Sequence, residues 1–334
     1  MKVILDHPSP FLFTHGGFQI QIEQTYAALQ KANIEAEYLR WWDDKQSADV
    51  IHYFGRPSAP YIEQAQKRGI RIVLAQLLTG LGSRSRKVLP IQKAAIALAK
   101  KTLPRLITYP FAWDAFQKVD ACVAGTPWEA HLMTYMFGAR KENVYVVKNG
   151  VEEVFFQSEK TNRGQWLICT ATITERKRVL ELAEAALTAK TPVWVIGKPY
   201  ADSDPYAQRF FAIARQNPQM IRYEGAISDR AKLASAYRDA RGFVLLSTME
   251  SLSLSAAEAA ACDCPLLLSD LPWARTTYHD SVSYCPITTQ AQTTRYLRDF
   301  YDAAPKLKPP PRPPTWLEIG EQFKNIYQRI LNSR

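Results

Sequence analysis

Short apolar runs alternate with amphipathic stretches along the whole chain. Residues 3–5, 35–41, 50–53, 72–75, 120–124 and 144–147 are each too short for a helix and end at polar or turn residues, so they read as strands. Between the first two, Phe18, Ile22, Tyr26 and Leu29 mark one helical face. Later, Thr126 and Pro127 offer a helix cap and a first-turn proline. The pattern restarts at 166–169 and continues through 192–197, 221–225, 243–246 and 265–268. Strands alternating with helices predict an α/β fold with parallel sheets. Six prolines between 305 and 314 form a stiff extended connector. Beyond it Trp316, Ile319, Phe323, Ile326 and Ile330 recur at helical spacing.

Candidate chemistry concentrates in residues 243–270, which read as strand, Ser-rich loop, helix and strand. The helix starts near Ser251 to Ser253, where hydroxyls can cap free N–H groups, and a helix N-terminus after a strand is an anion site. Glu250 and Glu258 flank that mouth. A carboxylate repels phosphate but accepts hydrogen bonds from vicinal hydroxyls, as acids do from ribose. One phosphate mouth with two diol readers fits a sugar nucleotide.

Length and charge agree with this picture. A chain of 334 residues suggests two domains, and a net charge of +10 suggests an anionic partner. Five cysteines without a Cys-x-x-Cys pair read as buried free thiols in a reducing compartment. The start of the chain reads as a first strand rather than a signal peptide, and no apolar run approaches the length of a membrane span.

Glu250 and Glu258 stand eight apart between an apolar strand and Pro265. In that context they resemble the Glu-x7-Glu motif of the family four retaining glycosyltransferases, of GT-B fold. Lys148-Asn149-Gly150-Val151 resembles the family's exit from its first domain, and residues 171–177 its Gly-Arg-Leu-x-x-x-Lys segment. Lys177 matches the Lys, Thr172 stands where the family has Arg, and Arg176 or Arg178 offers a replacement charge. Ser253 and Asp263 stand where the family usually has glycines.

The resemblance implies two Rossmann-like domains facing across a cleft, residues 1–156 and 157–314, with a C-terminal helix at 315–334 crossing back to the first domain. It implies transfer of a sugar from a nucleotide-sugar donor, a UDP-sugar by preference, to a glycan or glycolipid hydroxyl. Retention is implied by the family, and no metal or other cofactor is expected. Glu250 and Lys177 take the catalytic positions. Donor binding falls to Glu258, Ser253, Leu254, Ser255, Gly225, Gly16, Gly17, Arg176 and Thr172. His15 is the candidate on the acceptor side. Asp202-Ser203-Asp204 reads as a chance metal-motif match. Two alternatives stay open: an inactive GT-B homologue acting as a binding or assembly subunit, and a GT-B sugar-nucleotide epimerase.

Residues 83–109 differ in kind. Arg84, Arg86, Lys87, Lys93, Lys100, Lys101 and Arg105 alternate with apolar residues, and no acid occurs from Gln64 to Trp113. This is either a basic amphipathic helix on an anionic membrane or a core-facing helix with a solvated basic face. The expected location is cytoplasmic, with the inner membrane face as the peripheral option. Nucleic acid is not among the expected partners.

Overall fold

The structure, a computed structural model, describes residues 1–8, 11, 17–84, 86–157 and 163–333, without the side chain of Arg105. It divides into two compact units: Met1–Gly150 with Pro314–Arg334, and Val151–Pro313. The sequence reading puts the change of domain at 156/157. Phe155 already lies in the core of the second unit, so that unit begins earlier.

The first unit contains β1 (Lys2–Asp6), α1 (Gly17–Lys31), β2 (Glu35–Tyr38), β3 (Val50–Phe54), α2 (Ala59–Lys67), β4 (Arg71–Ala75) and α3 (Thr79–Gly82). It continues with α4 (Leu89–Thr102), α5 (Arg105–Thr108), α6 (Ala115–Lys118), β5 (Ala121–Ala124), α7 (Pro127–Phe137) and β6 (Val144–Val146). The sheet order is β2-β1-β3-β4-β5-β6, all parallel. Thr126 caps α7 by accepting from the Glu129 N–H, with Pro127 at the first position.

The second unit contains β7 (Leu167–Thr170), α8 (Val179–Ala189), β8 (Val193–Ile196), α9 (Pro205–Gln216), β9 (Ile221–Tyr223), α10 (Arg230–Asp239) and β10 (Gly242–Leu245). Then come α11 (Leu254–Ala261), β11 (Leu266–Ser269), α12 (Pro272–Tyr278), β12 (Ser283–Cys285) and α13 (Gln290–Ala303). Its parallel sheet runs β9-β8-β7-β10-β11-β12, the doubly wound order 3-2-1-4-5-6. Alternate residues serve opposite faces. Ile168, Phe243 and Leu245 face one apolar cluster, whereas Leu167, Cys169 and Val244 face the other. Strands covered on both faces must be apolar throughout, which is why they read as unbroken runs.

The chain then returns to the first unit as α14 (Trp316–Asn332), which starts with a capping box between Thr315 and Glu318. It packs on α1 closely enough that a Cβ on Gly320 would lie 2.3 Å from the Ala28 carbonyl oxygen. Tyr327 of α14 lies with its hydroxyl 2.6 Å from Nδ1 of His52 on β3. His52 is fully buried, and desolvation pushes its pKa down to about 3. All five cysteines are free and buried.

Residues 83–109 do not form one helix. Pro104 removes a backbone donor, and the segment breaks into α4 and α5, followed by a 3-10 turn at Tyr109–Phe111. Neither face is core-facing as a whole: Leu89 is the one buried residue of α4. Arg84, Arg86, Lys87, Lys93, Lys100 and Lys101 are all exposed.

Candidate functional site

In the second unit β7 and β10 are neighbours, yet α8 packs into one apolar cluster and α11 into the other. The connections therefore diverge at this point. Ligands of open α/β sheets bind outside the carboxyl ends of the strands at such a switch. The floor there is tight. Gly197, at φ +152°, donates its N–H to the Gly225 carbonyl at 3.0 Å, and a Cβ on it would lie 1.9 Å from the Ala171 carbonyl oxygen. Gly225 has φ +83°, and a Cβ on it would meet nothing within 4 Å, so backbone conformation alone favours glycine there.

The loops after β7 and β10 meet. Thr248 donates its N–H to the Arg176 carbonyl at 2.9 Å. Lys177 hydrogen-bonds Glu250 Oε1 through Nζ. Arg176 Nη1 donates to the Met249 carbonyl at 2.9 Å and lies 3.5 Å from the same Glu250 oxygen. Glu250 is buried, whereas Arg176 is partly exposed. Two cations on one carboxylate leave a net positive charge at the mouth. Arg178 takes the left-handed conformation at φ +53°, and its charge acts on Tyr206 and Cys285. Of the two arginines beside Thr172, Arg176 is thus the one at the site. Thr172 itself is half-buried in the same loop.

The sequence places hydroxyls near Ser251 to Ser253 where they can cap the helix, and one of them does so. Ser253 caps α11, its Oγ accepting from the Ala256 N–H at 3.2 Å and lying 3.1 Å from Ser255 Oγ. Leu254 and Ser255 are the first two helical residues, whose N–H groups have no carbonyl one turn earlier to bond. Asp263 ends this helix region at φ +56°, a left-handed conformation that glycine serves in the family resemblance and that Asp tolerates. Its place is explained by the turn.

Glu258 differs most from expectation. It is buried inside α11, with Oε1 accepting from Arg230 Nη2 at 2.5 Å and Oε2 from the Tyr237 hydroxyl at 3.2 Å. Burial raises its pKa, and the Arg230 charge opposes that rise. Arg230 also donates to Glu152 at 2.9 Å and lies 4.7 Å from the Phe155 ring centroid. Tyr237 is 2.6 Å from Thr170 Oγ1. Arg230, Tyr237 and Glu152 are site residues that sequence reasoning missed. The one available signal was Asp229, an N-cap residue that places Arg230 at the first helical position.

Asp204 caps α9, its carboxylate accepting from the Tyr206 N–H at 2.8 Å. Among the described residues no three His, Cys, Asp or Glu side chains converge as metal ligands. Gly17 opens α1 and is exposed, while His15 and Gly16 lie outside the described residues.

The same two-unit architecture occurs in sucrose-phosphate synthase from Thermosynechococcus elongatus, with a TM-score of 0.68 at 14% identity over 100% of both chains. A lipopolysaccharide outer core galactosyltransferase, WaaB, matches with a TM-score of 0.62 at 14% identity, over 98% of this chain and 99% of that one. The Anabaena protein HepE in complex with UDP matches at 0.59 and 11%, over 98% and 100%. The fold is therefore that of the GT-B glycosyltransferases, with two Rossmann-like units. More narrowly, residues 151–307, most of the second unit, match the family described as glycosyl transferases group 1. No curated protein matches the chain by sequence.

Proposed function

We propose that the chain transfers a sugar from a UDP-sugar to a hydroxyl of a glycan or glycolipid, with retention and without a metal. The observation that carries this is the grouping of Lys177 and Arg176 around Glu250 at the switch point. The bond that breaks joins the anomeric carbon to the β-phosphate oxygen. Its electron pair leaves on the diphosphate, while the acceptor oxygen bonds to the anomeric carbon and passes its proton to the departing diphosphate oxygen. Fixed cations and N–H groups stabilise the departing charge without reorganising. Lys177, Arg176 and the N–H groups of Leu254 and Ser255 supply them. Glu250 holds hydroxyls of the donor sugar. Glu258 reads the ribose diol: each carboxylate oxygen has two lone pairs, so each can accept one hydroxyl beside Arg230 or Tyr237. The HepE structure with UDP supports the choice of nucleotide. Retention rests on the family resemblance alone.

Release of UDP from a panel of nucleotide sugars tests the reaction. Turnover should survive EDTA. Loss of turnover with rescue by Mg²⁺ or Mn²⁺ would overturn the metal-independent mechanism. One observation favours a binding subunit instead, namely Thr172 at the family's Arg position. UDP binding without release of UDP from any donor would decide for it.

A further inference from the structure

The segment between β4 and β5 presents its apolar side chains to solvent. Leu106 is 86% exposed, Ile91 72% and Leu98 62%. Val88, Leu103, Ile107, Tyr109 and Phe111 are exposed as well. On α4 the apolar positions separate into two stripes. Leu89 and Ile96 face the first unit's core, whereas Ile91, Ala94, Ala95 and Leu98 repeat at i, i+3, i+4 and i+7 and are all exposed. The bases sort with the stripes. Lys93 lies 4.1 Å from the Tyr135 ring centroid, and Lys100 pairs with Asp114, so both serve the inner side. Lys101 falls beside the outer stripe at 100° per residue. Arg86 lies 4.8 Å from the Trp128 ring centroid and helps to tie the segment down on α7.

An exposed apolar patch with a basic border marks an interaction surface. Its charge selects the occupant. No acid interrupts residues 64–113, so the surface complements an anionic one. We infer that residues 88–111 are a membrane-docking surface for an anionic lipid bilayer, with the outer stripe of α4 and the Leu103–Phe111 end inserting among headgroups. Lys87 and Lys101 meet the lipid phosphates. The segment leaves the carboxyl end of β4, the edge where open α/β sheets hold their ligands. A lipid-carried ligand of this unit would then be presented at the edge that receives it. The docking surface itself does not depend on the glycosyltransferase reading.

Co-sedimentation of the full chain with vesicles tests this. The chain should bind phosphatidylcholine vesicles containing phosphatidylglycerol more strongly than phosphatidylcholine alone. Lys87→Gln with Lys101→Gln should weaken binding roughly tenfold or more, since each base near an anionic surface contributes about a factor of five. Ile91→Ser with Leu98→Ser and Leu106→Ser changes exposed residues and should leave folding intact while removing most of the binding. Binding by the apolar part should persist in part at about 0.5 M salt, where exposed charges are screened beyond roughly 4 Å. Absence of binding to anionic vesicles, or binding unchanged by the triple serine variant, overturns the inference. So does concentration-dependent dimerisation in solution that the triple variant abolishes, because a second copy would then cover the face. Preferential retention on RNA over anionic vesicles overturns it too.

Discussion

The carboxyl edges of the two parallel sheets, of related but not identical strand order, carry opposite electrostatic character. At the edge of the second unit, Lys177 and Arg176 surround one buried carboxylate, and Arg230 braces another. At the edge of the first, beside β1 and β2, a cavity of about 320 Å³ is lined by Asp6, His7, Phe11, Tyr38 and Trp41, among others. None of the described lining residues is Lys or Arg. Asp6 is buried and accepts from the Tyr61 hydroxyl at 2.7 Å, and burial raises its pKa. One edge suits a multiply charged anion. The other suits a ligand with apolar faces and neutral hydroxyls. Doubly wound topology supplies the place for a ligand, and a few side chains in two loops decide its charge.

Removing the cation is the most direct way to break this contrast. Lys177→Ala should lower kcat by about 10²–10³-fold, the usual cost of losing one fixed stabiliser of transition-state charge. Steady-state release of UDP measures it, and an effect under tenfold would put the charge elsewhere. Next in size is the second carboxylate. Glu258→Ala should weaken UDP binding by about ten- to a hundredfold, as expected for a hydrogen bond to a charged group. Calorimetric titration reads this directly.

Arg230 sharpens the same point through pH. On the proposed reading Glu258 binds the diol as a carboxylate, so affinity should be present above its folded pKa and lost as pH falls through it. Burial has already raised that pKa, and Arg230 restrains the rise. Arg230→Gln should therefore move the acid loss of UDP affinity to higher pH. A purely structural arginine would lower affinity equally at every pH.

The smallest effect separates the units by acid. His52 has its pKa pushed down to about 3 from 6.5, so the unfolded chain takes up the proton first. Its contribution to stability is present above pH 6.5 and falls as pH drops below it. At about 1.4 kcal/mol per pH unit, going from pH 6.5 to 5 costs about 2 kcal/mol. Glu258 acts oppositely in the second unit: its raised pKa makes protonation favour the folded state. Asp6 offsets part of the His52 loss in the first unit, since its pKa is raised as well. Chemical denaturation at the two pH values should show the acid loss in the wild type and a flatter profile in His52→Gln.

The strands of the second unit were legible because both faces of its sheet are covered, which leaves only apolar residues in runs such as Val193–Ile196 and 266–268. Glu250 and Lys177 were legible through the text around them, since each sits in a loop directly after a strand. Arg230 was not. It stands 28 residues from Glu258, and its one local mark, the Asp229 N-cap before it, says where its helix starts and nothing of its partner. The basic stretch was half legible. Period gives an apolar face, but α4 has two, and only packing shows that the Ile91–Leu98 stripe points outward.

The position of α14 has a consequence for how the protein comes into being. Its Tyr327 and Gly320 complete the core that α1 and β3 begin, yet the whole of Val151–Pro313 is translated first. At roughly 5–20 residues per second, the nascent first unit waits on the order of ten seconds for its last helix. During that time the groove on α1 that accepts Gly320 is open, while the second unit has all its strands and can close. Synthesis order thus favours completion of the second unit first, and makes the unfinished first unit the part of the nascent chain that calls for a chaperone.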